Sequence, residues 1–253
     1  MTGIWHLCGD GEIVTQKNNN MEKDTSYRDM VASMENLDIT EEVDQHMWPS
    51  AGTEEAAFGI DARNPAGWTY LMEACTRGSK NLVLALIARG ADVNKSTKYD
   101  GWSTLHGACA NGHIDIARIL VDAGVDVNKG DMKGNTPLWE VAMRDELDIA
   151  DLLIHAGADV NKPSNSGETP LDIAVQYIHP RMVEFLLCNG ANKYTANKWQ
   201  VTPLMKARSI RSALIDTSEH MLSFGMHRDN RSREELVRDN MIIMTLLERD
   251  VIY

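Results

Sequence analysis

The 253 residues, 43% apolar and 25% charged, are enough for a folded core and one extended domain with tails. A net charge of −12 opposes general affinity for nucleic acid or acidic lipid. No apolar run approaches the ~20 residues of a membrane-spanning helix, and no basic segment followed by an apolar block marks a secretory signal. Cys8, Cys75, Cys109 and Cys188 contain no CxxC pair. They read as reduced thiols of an intracellular protein, cytoplasmic or nuclear, with no metal or cofactor expected.

The first 63 residues hold most of the acidic excess. Residues 4–14 could form a small hairpin turning at Asp10-Gly11, and the polar run 17–20 reads as linker. Tyr27, Met30, Val31, Met34 and Leu37 then fall on one face of a short amphipathic helix, with Ser26 as N-cap. That helix could cap the domain C-terminal to it, bind a partner, or stay unfolded. Acidic residues at 38–44 and Pro49-Ser50-Ala51-Gly52 suggest a boundary.

From Asn64 onward the chain repeats. Thr69, Ser103, Thr136, Thr169 and Thr202 open similar runs at steps of 34, 33, 33 and 33 residues, and Gly90, Gly124, Gly157 and Gly190 recur in phase. A fixed period of this length marks a stacked solenoid. Thr136, Thr169 and Thr202 precede Pro137, Pro170 and Pro203, an N-cap before a proline whose missing N–H would be unpaired anyway. Leu138 and Leu171 begin a buried face, while Gly78 and Gly112 suit the left-handed end of a first helix. In the second unit's second helix, Ile116, Ile119 and Leu120 face a neighbour, Gly124 closes the helix, and Asn128 can bond backbone across the next turn. The runs TPLWEVA, STLHGACANGH and TPLDIAV, with the endings RGADVN, AGVDVN and AGADVN, resemble the ankyrin repeat. The resemblance implies an all-α solenoid of helix-turn-helix units with hairpin fingers. Four units are clear over residues 64–207 and a fifth is interrupted.

Departures from the pattern are specific. Tyr70 and Thr104 replace proline, and Met72 replaces histidine where the second unit keeps His106. One extra residue in 95–102 predicts a longer finger there. Asp145 and Ile178 replace the glycine between helices; Asp tolerates positive φ and Ile does not, so the turn before Pro180 is expected to be built differently. The fourth unit loses the usual ending at Ala191-Asn192-Lys193-Tyr194, and Gln200 replaces the glycine of the fifth finger. The period breaks after Ala207, leaving an insertion over 208–233. A helix over 234–253, with Leu236, Met241, Met244 and Leu247 on one face, is expected to shield the last unit.

No catalytic constellation is present. His227-Arg228-Asp229 has none of the partner motifs of a kinase catalytic loop. His106 and His113 fall where the repeat places histidines that bond backbone. The resemblance instead implies binding, on finger tips and the exposed side of the first helices. The candidates are Trp68, Tyr99, Trp102, Lys133, Asn135, Trp139, Met143, Arg144, Glu168 and Trp199. The alternative for the rings is that they lie flat and only stabilise the stack. A second column, Lys95, Lys129 and Lys162, with Lys98, Lys133 and Lys198 on the fingers, could dock an acidic partner segment, meet the acidic N-terminal tail, or be plain solvated lysines. The resemblance also implies hydroxylation of Asn94, Asn128 and Asn161 by an asparaginyl hydroxylase. The expected function is a non-enzymatic adaptor or scaffold, monomeric alone, for a protein partner. The alternative is a regulatory inhibitor or targeting subunit whose N-terminal segment modulates binding.

Overall fold

The computed structural model describes residues 60–64, 66–215 and 231–249. The hairpin expected at 4–14, the stripe from Tyr27 to Leu37, the boundary near Pro49 and the insertion between 216 and 230 lie outside the described residues. Among the described residues ten helices occur in order: α1 Tyr70–Arg77, α2 Lys80–Ala88, α3 Thr104–Ala110, α4 Ile114–Asp122, α5 Pro137–Arg144, α6 Leu147–His155, α7 Pro170–Gln176, α8 Pro180–Cys188, α9 Pro203–Ile215 and α10 Arg233–Glu248. Among the described residues there are no strands, only the isolated bridges Arg63–Thr69 and Ser96–Ser103 at the feet of two fingers. The architecture is an all-α repeat solenoid. The first helices stack as α1–α3–α5–α7–α9, the second as α2–α4–α6, and α10 packs on both α8 and α9. No described helix is long and apolar enough to cross a membrane.

The recurring residues do the local work the period suggests. Thr69, Ser103, Thr136 and Thr169 are N-caps whose hydroxyls accept the backbone N–H three residues on. Thr202 accepts Met205 N–H in the same way, at 3.3 Å. Helices of seven to nine residues are unstable alone, so packing between units must hold them. Leu71, Leu105, Leu138 and Leu171 form one row, all 1% exposed or less. Small residues form the next rows: Ala74, Ala108, Val141 and Ala174, then Cys75, Cys109, Ala142 and Val175. Each buried leucine contributes roughly 1.5–3 kcal/mol, and the small rows let the first helices approach closely. Burial pushes the thiols of Cys75 and Cys109 far above their ordinary range, which leaves them protonated and inert.

Two ladders tie successive units together. On the fingers, Lys98 N–H donates to Gly67 O (3.3 Å), Met132 N–H to Asp100 O (2.9 Å), Asn165 N–H to Lys133 O (2.7 Å) and Lys198 N–H to Ser166 O (3.0 Å). The extra residue of the second finger is visible as Thr97 N–H reaching Trp102 O, where the other fingers close one residue sooner, as in Asp131 to Asn135. Thr97 Oγ1 fills the space by accepting Trp102 N–H at 2.9 Å and pairing with Asp100. On the loops after the second helices, Asn94 Oδ1 accepts Asp126 N–H, Asn128 Oδ1 accepts Asp159 N–H and Asn161 Oδ1 accepts Asn192 N–H, at 2.7–2.8 Å. Their amides donate forward to Gly124, Gly157 and Gly190 carbonyls. Tyr194 stands where the next asparagine would be, and the ladder stops there.

The turn before Pro180 corrects the expectation from sequence. Ile178 adopts φ 57°, the left-handed conformation of Gly78 and Asp145 at the same register, so this turn is built like the others. A left-handed β-branched residue costs about 1–2 kcal/mol. Ile178 is fully buried, which offsets that cost, and its carbonyl accepts Arg231 Nη1 at 2.7 Å. Arg231 also donates to Tyr177 O and pairs with Asp239, so the chain entering α10 braces the turn in the fourth unit. Helix α9 also runs past Ala207 to Ile215, because Leu214 remains buried against α10.

Candidate functional site

Three large apolar side chains stand out from the fingers: Tyr99 at 64%, Met132 at 61% and Trp199 at 67% exposed. The backbones beneath them are tied into the finger ladder, so solvent-facing side chains sit on a stiff support. Tyr99 and Trp199 are where sequence reading places them. Met132 is not legible in the sequence, because a lone methionine in a polar turn carries no periodic signal. Lys98, Lys133 and Lys198 are exposed beside these side chains, with Lys98 Nζ 5.6 Å from the Tyr99 ring centre.

The other tryptophans among the described residues, Trp68, Trp102 and Trp139, are half-buried. Trp102 lies against His106, ring centres 6.0 Å apart at 22°, and so serves packing as well as surface. Trp68 is half-buried, with its backbone N–H donating to Asn64 Oδ1. Trp139 on α5 is half-exposed and adjoins Met143 and Arg144, also half-exposed. Arg144 pairs with Glu140 at 2.9 Å, and Met143 gives its carbonyl to His179 Nε2 of the next unit. Asn135 bonds Asp131, and Glu168 pairs with Lys206 at 2.7 Å. These last two polar candidates are therefore partly committed to holding their own fingers and neighbours.

The residue three places after each cap decides what each first helix offers. His106 accepts Ser103 N–H on Nδ1 at 3.2 Å and donates Nε2–H to Asn135 O at 2.8 Å, bridging to the next finger. Asp172 accepts Thr169 N–H at 2.9 Å. Trp139 can accept nothing, and its Nε1–H is buried without a partner. His113 and His179, like His106, spend a ring N–H on a carbonyl of another unit, Thr76 and Met143 respectively. Burial holds the His106 imidazole below its ordinary 6.5, against the Asn135 carbonyl that favours its protonated form. The unfolded chain therefore binds a proton near pH 6.5 that the folded chain refuses until lower pH, and stability falls as pH drops through that window. Urea melts at about pH 7.5 and about pH 5.5 should show a larger loss for wild type than for His106→Gln. An equal loss would assign the acid sensitivity to other groups.

The loop lysines do not form the free ridge that their spacing suggests. Lys129 Nζ donates to Asn94 O, and Lys162 Nζ to Asn128 O at 2.8 Å. Lys95 approaches Asp61 at 3.9 Å. They lie on the asparagine ladder, apart from the finger tips. Asn94, Asn128 and Asn161 themselves are held at both ends of their amides by the neighbouring unit.

A family model for ankyrin repeats (3 copies) matches residues 30–131 and 128–198. The chain belongs to the ankyrin-repeat family. Ankyrin repeats generally serve as protein–protein interaction modules, and this solenoid presents large exposed apolar side chains on its ankyrin fingers. The match begins well upstream of Asn64, where the period first becomes readable in sequence. No curated protein matches the chain.

Proposed function

We propose that this ankyrin solenoid is a non-enzymatic adaptor that holds a protein partner along its finger tips and the exposed side of α5. The observation that carries the reading is the set Tyr99, Met132 and Trp199, more than half exposed on fingers whose backbones are mutually hydrogen bonded. Large side chains on a rigid support lose little conformational entropy on binding, and such groups dominate interface energetics. Neighbouring fingers are spaced by roughly the 10 Å of packed helices, so the tips address an extended surface rather than one pocket. Lys98, Lys133 and Lys198 on an otherwise acidic chain favour a partner segment combining apolar and acidic side chains.

The test is a quantitative pull-down from native lysate, comparing wild type with the triple variant Tyr99→Ser, Met132→Ser, Trp199→Ser. These side chains are exposed, so the melting temperature should stay within about 2 °C. Partner recovery should fall at least about tenfold, since truncating one hot-spot residue costs about 2 kcal/mol or more. An unchanged set of captured proteins at unchanged melting would remove the finger tips as the binding surface.

A further inference from the structure

The first helix pair carries signs of a neighbour on its outer side. Leu84 sits at the register held by Arg118 in α4, Asp151 in α6 and Glu184 in α8. Arg118 is exposed and the two acids are half-exposed, yet Leu84 is only 1% exposed. The five consecutive residues from Leu82 to Leu86 are all buried, so the middle of α2 has no solvent face. A helix apolar all round is a buried helix, but the main described neighbours of α2 are α1 and α4. The asparagine ladder also extends upstream. Asp61 Oδ1 accepts Asp92 N–H at 3.0 Å, the bond that Asn94 makes to Asp126 one unit later. The finger ladder does not extend: the register of Lys98 corresponds to Pro65, which has no N–H to donate.

We propose that the N-terminal segment of this same chain, through the apolar stripe Met30, Val31, Met34 and Leu37, covers the outer face of α2 as a fingerless capping unit. The ankyrin match beginning at residue 30 is independent of the packing observations and points to the same stretch. Reach is no obstacle. The chain between Leu37 and Ile60 could extend roughly 70 Å at about 3.3 Å per residue, and it enters the described structure at Ile60, next to Asp61, which bonds the loop that follows α2. A stripe engaged on Leu84 is not available to an outside partner, which separates this segment from the binding surface on the fingers.

The test compares the full-length chain with its Met34→Asp variant by amide hydrogen exchange, reading α2 against α6 as internal reference. Exchange at residues 82–86 should rise about tenfold or more while α6 is unchanged. Unchanged exchange at α2 overturns the proposal. So does α2 protection in wild type that grows with protein concentration, which would assign this face to a second copy of the chain. Should Met34→Asp lose α6 protection as well, Met34→Ala replaces it. About a threefold rise confined to α2 is then expected, and an unchanged α2 again overturns the proposal.

Discussion

Alanine at Gly134 should destabilise the solenoid by about 2–4 kcal/mol, while alanine at Gly157 should cost only about 1 kcal/mol. Both glycines have positive φ, 77° and 91°. They differ in what surrounds them. A Cβ on Gly134 would stand 2.8 Å from the backbone nitrogen of Asn165, the donor that ties the next finger to Lys133. A Cβ on Gly157 would meet nothing within 4 Å. The first variant must therefore push two fingers apart and weaken a ladder bond, whereas the second carries only the backbone strain. Gln200 supplies the complementary case. It occupies the same place in the fifth finger at φ 58°, beyond which no further finger is described, and Gln200→Gly should stabilise by about 1 kcal/mol. Denaturant melts of the three variants check the ranking. Equal losses for Gly134→Ala and Gly157→Ala would mean that finger contact contributes little to holding the stack. Because the tips carry Tyr99, Met132 and Trp199, Gly134→Ala should also weaken partner binding by disturbing their spacing.

Trp139→His should raise stability by about 1–2 kcal/mol and reduce partner binding. At present Thr136 caps α5 from one side only: its hydroxyl accepts Trp139 N–H, and no side chain returns the bond. The indole N–H is meanwhile buried and unpaired. His106 shows what this register can hold, accepting its cap's N–H and donating to a carbonyl of the following finger. The carbonyl equivalent to Asn135 in the next finger is Glu168, which already accepts Ser164 N–H just as Asn135 accepts Asp131 N–H. A histidine at 139 would thus find the same two partners. That a half-exposed tryptophan stands here, at a cost in local bonding, is what a residue kept for its surface would look like. Urea unfolding, with the slope checked for constancy, measures the first effect, and the pull-down described for the finger tips measures the second. A destabilised variant would show that indole packing outweighs the cap, which would make Trp139 a structural residue.

Much of this molecule is written locally. A threonine before a proline caps a helix wherever the chain places it, and a leucine two residues after the cap faces inward because helical geometry turns it there. The spacing of Thr69, Ser103, Thr136 and Thr169 alone therefore determined the repeat, its helices and its rows of buried leucine and small residues. The backbone-bonding histidines were legible only through the resemblance to the ankyrin repeat, and Asn128 could be read as a backbone-bonding residue but not its partner one unit away. What tertiary structure decided lies between residues one unit apart, which pattern does not connect. Ile178 takes a left-handed turn against its own preference because complete burial and the Arg231 guanidinium support it. Lys129 and Lys162 extend to carbonyls of the preceding unit instead of forming an open ridge. Met132 stands exposed on a backbone pinned to the finger before it, and Leu84 is buried at a register where the later units are exposed or half-exposed. Local propensity costs about a kilocalorie per residue. Burial and paired hydrogen bonds between neighbouring units exceed that, so where the two disagree the stack prevails.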